Sequence, residues 1–312
     1  MVKVLITPRS FGKYGKESFE IFEKEKIEVV MNPTIGILTE EEILELIEEV
    51  DGIIVGVDPL NKNVISYAKK LVAISKYGVG LDNIDLELCK ERDIKVTITP
   101  NANSDAVADY AFTLLLSVAR RLTEIHNSCH NGDFSKKISI DIYGKKLGVL
   151  GLGHIGKGVI ERSKGFNMKL YGYDIYKDES FINENNIFFT SIENIFSECD
   201  FISIHLPLTN ETKYLIDEKM LSFAKENLVI VNTARGGIID ENALYEALNM
   251  KKIYGAGLDV FEQEPPTDSK LLELENVIVG AHSGASTVGA VDKMSTMATL
   301  NLIQSLREKG VI

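Results

Sequence analysis

Short, unbroken runs of apolar and largely β-branched residues recur along this chain, alternating with segments whose apolar positions fall three and four apart. The runs at residues 2–7, 28–31, 52–56, 71–75 and 95–99 have the length and Val/Ile content of strands buried on both faces of a parallel sheet. Between them, residues 39–50 place Ile43, Leu44, Ile47 and Val50 at helical spacing, with Thr39 and Glu42 set as a capping box. The glutamates of that segment form a solvated helix face. A second series predicts strands at 147–150, 169–174, 201–206, 228–233, 254–260 and 277–281. Two strand–helix series predict an α/β protein with two doubly wound parallel-sheet domains. The first series ends at Pro100, before a helix predicted over 104–121, so a hinge is expected near residue 100. A last helix, predicted over 286–309, can pack on either domain.

The 312 residues exceed what one hydrophobic core usually serves, in keeping with two domains. A formal net charge of −12, with no basic cluster, argues against nucleic acid and anionic lipid as partners. The most apolar helical segment, 106–119, falls short of the ~20 residues that span a bilayer and carries Asp109, so it reads as a buried helix. The chain enters its first strand without the pattern of a secretory signal, and Cys89, Cys129 and Cys199 are widely spaced and form no CxxC pair. Reduced, packed thiols and a cytoplasmic location are therefore expected. His126 and His130 lie one helical turn apart but have no third ligand nearby, so no metal site is expected.

Candidate chemistry starts at Gly151-Leu152-Gly153-His154-Ile155-Gly156, a GxGxxG between the strand ending at Leu150 and a helix predicted over 157–164. In that setting Gly151 permits a tight turn, Gly153 lets backbone approach a pyrophosphate, and Gly156 lets the helix pack on the sheet. The phosphates then meet the unpaired N–H groups at the helix N-terminus. Asp174 ends the next strand at the fingerprint interval of about 20 residues, where its carboxylate can bond ribose hydroxyls and repel a 2′-phosphate, favouring NAD over NADP. A turn acid capping the following segment is the other reading of Asp174.

Three later strand ends each carry one further reactive group: Arg235 within Asn232-Thr233-Ala234-Arg235-Gly236-Gly237, Glu264 after Asp259, and His282 before Ser283-Gly284-Ala285. A planar guanidinium at Arg235 can fork onto a carboxylate or polarise a C2 carbonyl. An imidazole at His282 can exchange a proton near neutral pH, and a carboxylate at Glu264 can raise its pKa and set its tautomer.

Five segments in order, namely Lys76-Tyr77-Gly78-Val79-Gly80-Leu81-Asp82-Asn83-Ile84-Asp85, Thr99-Pro100-Asn101-Ala102-Asn103-Ser104, the glycine loop, Ala234 to Asp240, and Leu258 to Pro266 with His282 to Thr287, resemble the D-isomer-specific 2-hydroxyacid dehydrogenase family. The resemblance is strongest to the catalytic portion of its phosphoglycerate-oxidising branch. It implies a Rossmann NAD-binding domain at 101–285, inserted in a flavodoxin-like substrate domain made of 1–100 and 286–312, the C-terminal helix returning to that domain. It further implies an oxidoreductase in which Arg235 binds the substrate carboxylate, His282 is the acid/base and Glu264 tunes it. Implied cofactor contacts are Val79, His154, Ile155, Asp174, Leu206, Thr233, Ala234, Asp259 and the stretch from His282 through Ser283 and Gly284 to Ala285. Backbone N–H groups of Gly78 and Val79 would meet the substrate carboxylate, and Asn103 would cap the crossing helix or line the cleft.

The family also implies a homodimer through the nucleotide domain, to which segment 106–119 contributes, unless that segment is simply core. No regulatory domain is expected beyond Ile312. One departure bears on substrate: where the phosphoglycerate branch places basic residues for the phosphate, this chain reads Val55-Gly56-Val57-Asp58-Pro59. Lys76 remains as a basic candidate, and Lys136-Lys137 reads as a surface pair or a contribution to a partner's cleft. The expected substrate is 3-phosphoglycerate, as in serine biosynthesis. Alternatives are hydroxypyruvate, glyoxylate or D-lactate chemistry, and, from another class, an NADH-sensing regulatory role.

Overall fold

The β-branched runs of the first series form five parallel strands, β1 (Lys3–Ile6), β2 (Glu28–Met31), β3 (Gly52–Val55), β4 (Ala73–Lys76) and β5 (Lys95–Thr97), in the order β2-β1-β3-β4-β5. Every residue of β3 and β4 is buried, as expected of strands covered on both faces. In this computed structural model, which describes residues 1–34 and 36–312, helices α1 (Glu17–Lys24), α2 (Glu40–Ile47), α3 (Lys62–Tyr67) and α4 (Leu86–Glu91) link the strands. Thr39 and Glu42 do form a capping box on α2, while Asn61 and Asp85 cap α3 and α4.

The second series opens with α5 (Ser104–Ala119) and α6 (Leu122–His130). It continues through β6 (Lys146–Leu150), α7 (His154–Ser163), β7 (Lys169–Tyr173), α8 (Glu179–Glu184), β8 (Phe188–Phe189), α9 (Ile192–Glu198) and β9 (Phe201–Ile204). It closes with α10 (Glu218–Leu221), β10 (Val229–Asn232), α11 (Glu241–Asn249), β11 (Gly255–Leu258) and β12 (Val277–Val279). The sheet is parallel throughout, in the order β12-β11-β10-β9-β6-β7-β8, so the chain reverses direction across the sheet between β6 and β9. In doubly wound sheets ligands bind beyond the carboxyl ends of the strands at such a switch point.

The chain divides into two compact units, Met1–Asn103 with Ala285–Ile312, and Ser104–Gly284. The last helix, α12 (Val288–Glu308), lies in the first unit against α1, β3, β4 and β5. That resolves where the C-terminal helix packs. Helix α5 lies in the core of the second unit, against α7, β10 and β11, with its apolar positions buried there. Its hydrophobicity is thus accounted for by core burial.

Two boundaries differ from expectation. The helix predicted over 104–121 ends at Ala119, because Arg121 turns left-handed with φ +51 and α6 starts afresh at Leu122. Helix α7 starts at His154 rather than 157, so the second half of the glycine motif is already helical. The two-residue β8 was not foreseen, being too short to carry a periodic signal. Cys89 and Cys199 are free and buried, and burial pushes their thiols up to about 11 and about 12.

Candidate active site

The glycine loop leaves β6 at the switch point and runs directly into α7. Gly151 has φ +95, and a Cβ there would stand 2.6 Å from the carbonyl oxygen of His205. At Gly156 a Cβ would fall 2.0 Å from the carbonyl oxygen of Gly151, so only glycine lets the helix sit this close to the turn. Gly153 is different: among the described residues, nothing beyond its own chain neighbours lies within 4 Å of where its Cβ would be. The protein's own packing does not require this glycine, whereas a ligand backbone approaching the loop would. Gly153 is also the N-cap of α7 and supplies no side-chain cap, which leaves the N–H groups around His154 and Ile155 to a ligand anion.

Asp174 stands just past β7 and holds the loop from behind, one carboxylate oxygen accepting from Leu152 N–H at 2.6 Å and the other from Tyr176 N–H at 2.9 Å. It thus caps a turn, and a carboxylate has acceptor positions beyond these two bonds. Beyond β9 and β10 lie two polar atoms that are buried and, among the described residues, lack a hydrogen-bond partner: Nδ1 of His205 and Oγ1 of Thr233. Burial pushes the His205 pKa down to about 3, so the ring is neutral, with Nε2 on Ser203 Oγ at 2.8 Å. Unpaired polar atoms cost stability unless something satisfies them. An open glycine cradle beside such atoms fits a dinucleotide. Thr233 was expected at the cofactor; His205 was missed, because only burial distinguishes it from an ordinary strand-end histidine.

Arg235 lies in the loop after β10. The buried Asn232 shapes that loop, donating from Nδ2 to Arg235 O at 2.8 Å and accepting Ala234 N–H at 3.0 Å. The guanidinium donates to Ala234 O at 2.7 Å. At Gly236 the loop presses against the next one: a Cβ there would stand 1.9 Å from Phe261 O. The loop bearing Arg235 and the loop bearing Glu264 are thus in backbone contact. Sequence reading did not single out Asn232, since an asparagine ending a strand has no pattern of its own.

Glu264 and His282, 18 residues apart in the chain, meet at 2.8 Å between Oε2 and Nδ1. The other Glu264 oxygen accepts from Phe261 N–H at 3.2 Å. His282 has φ +52, and its loop is pinned from below by Asp259, whose two oxygens accept the N–H groups of Ser283 and Gly284 at 2.8 Å each. Asp259 is buried, which raises its pKa against the lowering effect of those two bonds and of His282. Leu206 is buried in the core of this unit, with its backbone beside Gly151. Ala234 packs against the same core.

Lys76, Gly78, Val79 and Ala285 belong to the first unit. Lys76 is buried at the end of β4, and its ammonium donates to Gly56 O at 2.5 Å and Asn83 Oδ1 at 2.6 Å. Gly78 donates its N–H to Thr99 Oγ1 at 2.8 Å. Val79, beside it, is exposed.

Among the described residues no group of three or more His, Cys, Asp and Glu could hold a metal ion, and no helix is long and apolar enough to cross a membrane. His126 and His130 pack edge-to-face, with ring centroids 4.4 Å apart.

Residues 112–284 match the family model described as D-isomer specific 2-hydroxyacid dehydrogenase, NAD binding domain. The chain is 39% identical over 312 residues to a D-3-phosphoglycerate dehydrogenase of Methanocaldococcus jannaschii, covering 98% of this chain but 58% of that longer protein. It is 41% identical over 276 residues to a hydroxypyruvate reductase of Thermotoga maritima, covering 86% of this chain and 88% of that one. Among solved structures it resembles a D-lactate dehydrogenase from Aquifex aeolicus complexed with NAD and lactic acid, with a TM-score of 0.85 and 30% identity over 99% of this chain and 96% of that one.

Proposed function

This chain belongs to the D-isomer-specific 2-hydroxyacid dehydrogenase family, and we propose that it is an enzyme moving a hydride between NAD and C2 of a small, unphosphorylated 2-keto or D-2-hydroxy acid. The observation that carries the reading is the 2.8 Å contact of Glu264 with Nδ1 of His282, on the same strand-end face as the glycine loop. A carboxylate at Nδ1 favours the tautomer with its hydrogen there and leaves Nε2 free for a substrate oxygen. In the reducing direction His282 gives its Nε2 proton to the carbonyl oxygen while Glu264 keeps the ring oriented. In the oxidising direction Nε2 takes that proton back. Arg235 grips the substrate carboxylate, and its positive charge also favours the negative charge that grows on the carbonyl oxygen. A bound nicotinamide would supply or accept the hydride; the loop from Gly151 through Gly153 to Gly156 and Thr233 would hold the dinucleotide, and Asp174 would select the form without a 2′-phosphate.

Two features of the first unit favour a substrate without phosphate. The loop after β3 contains no basic residue, and its Asp58 is buried and hydrogen-bonded by Thr7 and by Leu38 N–H. Lys76 is occupied internally. Glyoxylate and hydroxypyruvate fit this description. The similarity to a phosphoglycerate dehydrogenase over 98% of this chain supports 3-phosphoglycerate as the second reading. We further propose a homodimer through the second unit, on the strength of the exposed Leu122, Phe134, Ile138 and Tyr143 along one stretch of it, and a cytoplasmic location.

The test is loss of NADH absorbance with glyoxylate, hydroxypyruvate, pyruvate and 3-phosphohydroxypyruvate. Turnover highest with an unphosphorylated acid is expected. Preference for the phosphorylated acid would reverse the substrate assignment, and no turnover with any acid would sink the enzymatic one. His282→Ala should abolish turnover and retain NADH binding.

A further inference from the structure

The loop that carries Glu264 has little regular structure of its own. It leaves β11, passes Asp259, and reaches Pro266 without joining a strand or helix. Yet an acid/base pair works only if its geometry is held to a fraction of an ångström. Something outside the loop has to hold it.

That support comes from the first residue of α11. Glu241 Oε1 accepts the backbone N–H of Glu262 at 2.6 Å, and Glu262 Oε1 accepts the backbone N–H of Glu241 at 3.2 Å. Each residue thus binds the other's main chain through its own carboxylate. Ser269 Oγ donates to Glu241 Oε2 at 3.3 Å, and Tyr214 Oη donates to Glu262 Oε2 at 2.9 Å, so all four carboxylate oxygens are engaged. The groups facing Glu241 are Glu262, Ser269 and, at longer range, Glu264; its half-buried setting raises its pKa, with the charges of Glu262 and Glu264 adding to the rise. Two acids with little cationic compensation are an electrostatically unfavourable choice, which points to a requirement for reciprocal acceptors of backbone N–H at this junction.

The clamp lies where two functional loops join. Upstream of Glu241 the chain runs back through Gly237 and Gly236, packed on Phe261 O, to Arg235. Two residues downstream of Glu262 stands Glu264, whose Oε2 holds His282. We propose that Glu241 is a positioning residue for catalysis: through the reciprocal Glu241–Glu262 clamp it locks the Arg235 loop to the Glu264 loop and so keeps Glu264 against His282. This rests on the assignment of His282 and Glu264 as the acid/base pair.

The experiment uses the full chain, NADH and the best 2-keto acid found above. Glu241→Ala removes one half of the clamp. It should lower kcat/KM for keto-acid reduction about tenfold, with NADH affinity unchanged, an effect of the size expected for one lost charge-assisted hydrogen bond. The loss should fall mainly on kcat, because the clamp orients the proton donor. Glu241→Gln keeps an oxygen that can accept Glu262 N–H and should restore kcat. Glu262→Ala alters an exposed side chain and removes the other half without threatening the fold, so it should lower kcat the same way. If Glu241→Ala does not fold, Glu262→Ala decides. A wild-type kcat in the alanine variants that fold would overturn the proposal, even if their melting temperatures fall, as would a Gln variant no better than the Ala variant. An active His282→Ala enzyme would instead overturn the acid/base assignment on which it rests.

Discussion

Gly236→Ala is a direct test of whether the Arg235 and Glu264 loops work as one piece. The added Cβ would stand 1.9 Å from the carbonyl oxygen of Phe261, 2.0 Å from its carbonyl carbon and 2.5 Å from the nitrogen of Glu262. Non-bonded carbon and oxygen atoms settle at about 3.3–3.6 Å, so the two backbones must part by more than ~1 Å. The obstacle is main chain on both sides, and no rotamer change can relieve it. A misplacement of about 1 Å near a reacting centre costs on the order of 100-fold in rate, equivalent to ~2.7 kcal/mol of transition-state stabilisation. Overpacking also destabilises by about 1–3 kcal/mol, each kcal/mol lowering Tm by roughly 2–4 °C in a unit of this size. The glycine loop itself should be spared, because β9 stands between β10 and β6 in the sheet, while Thr233, on the displaced loop, loosens its hold on the dinucleotide. The expected result is a kcat/KM for keto-acid reduction about 100-fold down, a modest Tm decrease, and an NADH dissociation constant, read from nicotinamide fluorescence, raised by less than about tenfold. A variant that keeps a third or more of its kcat/KM refutes the idea that this contact positions the catalytic loops. A loss found mainly in NADH binding refutes it equally.

Gly153→Ala should behave in the opposite way: among the described residues nothing beyond the chain neighbours lies near the new Cβ and the φ of −72 suits alanine, so Tm should hold while NADH affinity falls roughly tenfold, about 1.4 kcal/mol. Normal NADH binding would mean that this glycine does not cradle the pyrophosphate. Asp174→Asn keeps an oxygen for Leu152 N–H but removes the charge, so discrimination against NADPH in binding titrations should shrink by on the order of tenfold, with little change in Tm. Unaltered discrimination would remove the selectivity role. Asp200 tests the sheet itself: burial alone would raise its pKa, but Lys225, Lys146 N–H and Asn227 outweigh burial and hold it below the usual carboxylate value. A depressed carboxylate stabilises the fold above its unfolded pKa of about 4, and that contribution is lost as pH falls through the folded value. Asp200→Asn should therefore cost about 1–3 kcal/mol at pH 7, with the Tm gap to wild type closing at acid pH. A gap that is independent of pH would show that ionisation is not what the site uses.

Local pattern determined a large part of this protein. Parallel strands buried on both faces write themselves as short Val/Ile runs, so the order and class of the elements were readable before any coordinates. The glycine loop was equally legible, because turn, approach and packing each demand glycine at a set spacing, and the positions of Arg235, Glu264 and His282 just past predicted strands marked one functional edge. What needed the tertiary structure was the choice of partner. Nothing in the sequence says that Asp259 accepts Ser283 and Gly284 N–H, that Gly78 N–H is taken by Thr99, or that the Lys76 ammonium turns inward to Gly56 and Asn83. Each of these residues could equally serve a ligand. Likewise the Nδ1 of His205, unpaired among the described residues, and the Glu241–Glu262 clamp exist only because separate strand ends converge. Spacing along the chain sets which side chains reach the edge of a sheet; burial and the competing groups brought there by other loops decide which of them remain available for chemistry.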